Sequence, residues 1–223
     1  MKMTFDEKIS LIKTQFQKPL PGEKQQFLMA PEVRRSYNLT SPVKKAGVMV
    51  CIFPAEDDLQ IVLMKRNEYN GPHSGQISFP GGIYEETDLN LCETALRETQ
   101  EEIGIDCSKS LILGELTPLL IPVSNILVQP FVSSFSNKPN FVIDKREVNF
   151  LIAVTLHELL DPVSLQKEKW ILNETEIMVP FYKVQGNIIW GATAMILCEF
   201  LAIIANSGLY QQFQYSGSDR NDT

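Results

Sequence analysis

A chain of 223 residues, 44 % of them apolar, is long enough to bury the core of one large domain, or of one domain with an appendage. Its net charge of −7 argues against a nucleic-acid-binding surface, because phosphate backbones are held by clustered Lys and Arg. An acidic chain can still bring a small anionic substrate to an acidic site through a bridging metal.

From the N-terminus, Thr4 caps a helix reaching about Phe16, with Phe5, Ile9, Ile12 and Phe16 on the 3.6-residue period. Residues 18–44 hold four prolines and little periodicity, which predicts an extended arm wrapping the domain or a neighbouring subunit. Residues 46–53 and 59–65 are β-rich runs around the acidic turn AEDD, a predicted hairpin, and Arg66 ends the second run. GQISFP (75–80) is a short strand delivering Gly81 and Gly82, which permit positive φ and close backbone approach to a phosphate or metal.

The turn then feeds a helix on which Glu98, Glu101 and Glu102 fall within roughly 100° of arc. Leu89, Cys92, Leu96, Thr99 and Ile103 occupy the opposite side. Beyond it, residues 111–120 and 126–135 read as strands, the second bent or at an edge because it carries Pro130. A strand over 148–155 precedes a short helix beginning near His157; residues 170–172, 177–182 and 187–190 suggest an antiparallel meander. A last helix runs from about 192 to 206. The apolar stretch 188–205 is interrupted by Glu199 and is shorter than the ~20 residues of a membrane span, so a buried helix is expected. The division is an N-terminal helix and arm (1–43), a main domain (44–208) and a mobile polar tail (209–223).

Cys51, Cys92, Cys107 and Cys198 lack CxxC or zinc-ligand spacing and lie in or beside apolar segments, so free, buried or half-buried thiols are expected. With no apolar h-region in MKMTFDEKIS, this points to a cytoplasmic protein in a reducing compartment.

Like charges at i, i+3 and i+4 destabilise an isolated helix by a few tenths of a kcal/mol per pair. Either the triplet is a solvated acidic face or a cation compensates it. Hard oxygen donors in that number favour Mg²⁺ or Mn²⁺ over zinc. The order Gly81-Gly82, Asp88, Arg97-Glu98-x-x-Glu101-Glu102-x-Gly104-Ile105 resembles the Nudix box. Thr99 replaces an aliphatic residue, Asp88 stands where Glu is usual, and the spacing from Gly82 to Arg97 is one residue longer than the standard pattern.

The resemblance implies an α/β fold, a Nudix-type α/β/α sandwich with a central mixed β-sheet. It also implies Mg²⁺ or Mn²⁺ held by Glu98, Glu102, Glu101 and the Gly82 carbonyl, with Arg97 orienting Glu101. Glu147 occupies the position of a carboxylate that completes many such sites, and Glu101 or Glu147 takes the proton during substitution at phosphorus.

Upstream, VLMKRNEYNGPHSGQISFPGG resembles the signature of coenzyme A diphosphatases, as do LPGEKQQFLMAPEVR and IWGATAMIL. Arg66, His73, Gln76 and Gly81 are the implied substrate-binding residues, while Gly71 stands where a second Arg belongs. The implied substrate is a nucleoside diphosphate-linked small molecule, coenzyme A first. ADP-ribose, a dinucleotide or a nucleoside triphosphate is the alternative within the same chemistry, and an inactive ligand-binding module is the alternative of another class. A homodimer using the N-terminal arm is the expectation by analogy.

Overall fold

The computed structural model describes residues 3–31, 43–71, 73–172 and 174–210. In chain order these form α1 (Phe5–Gln15), α2 (Gly22–Gln26), β1 (Lys44–Pro54), β2 (Leu59–Arg66), β3 (Ile77–Ser78), β4 (Gly81–Ile83), α3 (Leu91–Ile103), β5 (Leu111–Glu115), β6 (Leu119–Ile121) and β7 (Ile126–Ser134). There follow β8 (Val148–Thr155), α4 (Leu156–Leu160), β9 (Leu165–Leu172), β10 (Thr175–Val184), β11 (Asn187–Trp190) and α5 (Gly191–Asn206). The chain divides into two compact units, residues 37–155 and residues 1–36 with 156–223.

The unit of residues 37–155 is an eight-stranded sheet whose main path runs β3-β2-β1-β7-β5, with β4 on β1, β6 on β7 and β8 on β2. Only β1 and β7 are parallel; the other pairs are antiparallel, so the sheet is mixed, as expected. Alternate residues of β1, Met49, Cys51 and Phe53, face a cluster that includes Ala95 and Ile103 of α3. Gly47 continues that row, and a Cβ there would lie 2.2 Å from the Leu91 carbonyl oxygen and 3.1 Å from the Ala95 nitrogen. The missing side chain lets the first turn of α3 lie directly on β1. Because the obstructing atoms are backbone, Gly47→Ala is expected to destabilise by about 3 kcal/mol, the upper part of the overpacking range. A shift of under 0.5 kcal/mol in a urea titration would refute this contact.

Three local expectations are corrected. Leu89 is not on the buried face of the helix: Asn90 caps α3 by accepting from the N–H groups of Cys92 and Glu93, and Leu89 is left outside, 86 % exposed. The run 111–120 is two strands, broken around Pro118. The strand with Pro130 is not at an edge but lies between β1 and β5/β6. β5 ends opposite Phe131 and β6 begins opposite Val128, so the break falls where the proline has no N–H to offer.

In the other unit, Thr4 caps α1 as the sequence suggests, and the structure adds a reciprocal bond that completes a capping box: Thr4 accepts from the Glu7 N–H, and Glu7 accepts from the Thr4 N–H at 2.7 Å. The expected extended arm is partly helical, forming α2 and then a 3₁₀ turn at Phe27–Met29. Its partner is remote in sequence. Glu199, fully buried on α5, accepts from the Gly22 N–H at 3.1 Å and from Gln26 Nε2 at 2.8 Å. The remainder of the arm, residues 32–42, and the tail beyond 210 lie outside the described residues. β9, β10 and β11 form the expected antiparallel meander, with Trp170 stacked on Phe181 at 5.6 Å and edge-on to Trp190 at 5.3 Å. Among the described residues no helix is long and apolar enough to cross a membrane. All four cysteines are free, three buried and Cys92 half-buried; burial pushes the Cys107 thiol up to about 11.

Candidate active site

β4 brings two glycines against the carboxylate side of α3. Gly81 has φ of 147°, and a Cβ on it would meet the Gly47 carbonyl oxygen at 2.3 Å. Its N–H donates to Glu102 Oε2 at 2.8 Å. At Gly82 a Cβ would lie 2.3 to 2.6 Å from the carboxyl atoms of Glu98. The glycine pair thus makes room for one acid and supplies a donor to the other.

Glu102 is only 2 % exposed, and its Oε1 accepts from Arg66 Nη1 at 3.3 Å. Burial pushes its carboxyl up to about 8, against the pull of the Gly81 N–H and Arg66, while Glu98 and Glu147 push it further. Glu98 is half-buried and is likewise raised by burial; Arg97 opposes this, and Glu101 and Glu147 add to it.

Glu147, exposed, is carried to the pair by a segment bound to the end of α3. The Val142 N–H donates to the Ile103 carbonyl and the Asp144 N–H to the Glu102 carbonyl, both at 3.0 Å. Glu147's own carbonyl accepts from the Asn67 N–H at 2.9 Å. Gly104 closes the helix with φ of 70°, where a Cβ would strike the Val142 carbonyl at 2.4 Å.

Arg97 bonds Glu98 Oε1 at 3.0 Å and Glu101 Oε2 at 3.2 Å. It also holds Asp88, Nε to Oδ1 at 2.8 Å and Nη2 to Oδ2 at 3.0 Å, a two-point grip that fixes the guanidinium plane, and Nη2 reaches the Ile83 carbonyl at 3.4 Å. Asp88, whose role the sequence leaves open, also accepts from Thr94 Oγ1 at 2.8 Å and from the Glu85 N–H at 3.0 Å. Arg97 holds this carboxyl well below the usual carboxylate range. Thr99, the departure from the aliphatic pattern, is buried and donates to the Ala95 carbonyl at 2.6 Å.

His73 and Gln76 are bonded to each other at 3.1 Å, and His73 also meets Ser124 at 3.2 Å. They are not among the carboxylates. Gln76 nevertheless lies opposite Arg66, whose N–H donates to its carbonyl at 3.0 Å. An open cleft of about 570 Å³ lies at the N-terminal end of α3, lined by Lys45, Tyr84, Leu89, Cys92, Glu115 and Phe131 among others. Glu98, Glu101, Glu102 and Glu147 do not line it.

The donor set suits a hard cation. Glu98, Glu101, Glu102 and Glu147 offer only oxygen; burial is the main cause that raises Glu98 and Glu102, and the smaller repulsion from neighbouring carboxylates that adds to it is what a divalent ion relieves. Among the described residues no three acidic, His or Cys side chains already converge as a cage. The carboxylates are instead turned toward Arg66, Gly81 and Arg97.

This helix-on-mixed-sheet arrangement, with acidic residues facing a glycine turn, defines the class. Residues 43–173, more than half of the chain, match the NUDIX domain, and the protein belongs to the Nudix family. It is 32 % identical over 173 residues to Nudix hydrolase 22, chloroplastic, of Arabidopsis thaliana, covering 72 % of this chain and 55 % of that one. It is 32 % identical over 168 residues to the uncharacterized Nudix hydrolase NudL of Pectobacterium atrosepticum, covering 73 % and 84 %. The chain thus spans little more than half the length of its plant relative. The Nudix hydrolase structure from Alicyclobacillus acidocaldarius superposes with a TM-score of 0.53 at 14 % identity, over 75 % of this chain and 93 % of that one, a likeness of fold alone.

Proposed function

We propose that the protein is a divalent-metal-dependent hydrolase of pyrophosphate-linked small molecules, with coenzyme A or its thioesters as the preferred substrate. The observation that carries this reading is the close approach of the glycine turn to two carboxylates of α3, Gly82 against Glu98 and the Gly81 N–H on Glu102. Glu98 and Glu102, with Glu101 and the Gly82 carbonyl, would hold Mg²⁺ or Mn²⁺. The ion would neutralise the diphosphate oxygens and promote the ionisation of water.

The chain's own residues account for the remainder. Arg97, locked by Asp88, keeps Glu98 and Glu101 in place. Glu101 and Glu147 are the more exposed carboxylates and are the candidate proton acceptors. Arg66, whose guanidinium reaches Glu102 at 3.3 Å, would bind a phosphate oxygen of the substrate, with His73, Gln76 and the Gly81 turn completing the substrate side. A reducing, cytoplasmic setting agrees with four free thiols.

The coenzyme A preference rests on the resemblance over residues 62–82; Gly71, in place of an Arg, removes one cation for a phosphate. Incubation with Mg²⁺ or Mn²⁺ and coenzyme A, ADP-ribose, NADH or dNTPs, followed by product analysis, tests it. Release of 3′,5′-ADP and 4′-phosphopantetheine in preference to other products is expected. Preference for another member of the panel would replace the substrate, and no metal-dependent turnover on any would remove the enzymatic reading.

A further inference from the structure

Ser78 has a buried hydroxyl that meets no hydrogen-bond partner. It is the last residue of β3, three positions before Gly81, and is paired with Met64 of β2. Directly opposed side chains in an antiparallel pair share a face. Met64 belongs to the cluster formed with Ala95 and Ile103, so Ser78 faces the side of the sheet that α3 covers.

Arg66, two residues beyond Met64, is on that face as well and reaches Glu102 Oε1 at 3.3 Å. Gly81 bonds the other oxygen at 2.8 Å. Ser78 is therefore on the same face as Arg66 and diagonal to it across the β2–β3 pair, and Arg66 reaches Glu102. Both oxygens of that carboxylate already have donors, and the serine has been given none. A buried hydroxyl left unpaired is destabilising, and its presence needs a reason.

We propose that Ser78 is a positioning residue for the divalent cation at Glu102, its hydroxyl serving as hydrogen-bond partner to water that the hydrated ion brings into the site. This rests on the metal-dependent reading above. Mg²⁺ retains several waters, and in a buried site their O–H groups need acceptors. A serine oxygen has two lone pairs to offer. Groups that bond to an ion's shell without touching the ion typically alter its affinity 10- to 100-fold.

The test compares wild type with Ser78→Ala in two measurements: Mn²⁺ affinity by calorimetric titration, and melting temperature of the metal-free protein. Mn²⁺ binding is expected to weaken about tenfold, while the metal-free melting temperature stays level or rises because an unpaired hydroxyl has been removed. A lower melting temperature would mean that the hydroxyl is partnered in the fold, and it overturns the proposal whatever the affinity. Equal Mn²⁺ affinity in both proteins overturns this inference and leaves the metal-dependent reading standing. Failure of the wild type to bind Mn²⁺ removes both.

Discussion

Glu102→Gln is expected to lower metal-dependent turnover by about 10³-fold, with the protein still folded. The side chain is 2 % exposed and is gripped from both sides by Arg66 and Gly81, so its replacement keeps the volume and removes the charge. Losing one charged ligand forfeits several kcal/mol of transition-state stabilisation, at about 1.4 kcal/mol per tenfold. Activity within about fivefold of wild type would remove Glu102 from the ligand set.

A pH dependence accompanies this residue. Its carboxyl is pushed up to about 8, above its unfolded value, so protonation favours the metal-free fold. That contribution is fully present below the ordinary carboxylate range and is lost as pH rises through about 8. A cation needs the ionised form and must expel the proton. Affinity for Mn²⁺ is therefore expected to weaken roughly tenfold per unit below pH 8, with close to one proton released per ion at neutral pH. Titration calorimetry in buffers of different ionisation enthalpy reads that proton; a binding enthalpy independent of buffer would contradict it.

Gly82→Ala is the second substitution with a large expected effect. The new methyl carbon would lie 2.3 Å from Glu98 Cδ, a distance no side chain tolerates. What yields is the far end of a flexible glutamate, so the fold absorbs the change and the carboxylate moves. Displacing a catalytic-site group by about 1 Å costs on the order of 10²-fold, and a loss of that size in turnover is expected. Melting temperature should fall by only a few degrees. The contrast is Gly47→Ala, where the methyl meets backbone and stability, not chemistry, is lost. Near-normal turnover in Gly82→Ala would separate Glu98 from the reaction.

The local elements were legible because their causes are local. The Thr4 cap of α1, the hairpin of β1 and β2, and the acidic stripe of α3 each follow from residues within a few positions of one another. Leu89 was misplaced because helical phase alone does not show where a helix starts; Asn90 decides that by capping Cys92 and Glu93. The helical turn at Gly22–Gln26 was hidden because its acceptor, Glu199, is 173 residues from Gln26. Asp88 could be named as a departure from pattern but not given a role, since its grip on Arg97 depends on how the intervening loop closes.

By itself the sequence determined which side chains are acidic, on what helical arc they stand, and that two glycines precede them. Spacing along a helix is set by backbone geometry and needs no other part of the chain. Tertiary structure alone decided that Glu102 is buried while Glu101 is exposed, and that Gly82 gives its space to Glu98. It also left the Ser78 hydroxyl buried and unpaired in the strand that leads to the glycine turn. Burial and close approach depend on β1, β2 and β4 packing against α3, and those contacts join residues that sequence spacing does not relate.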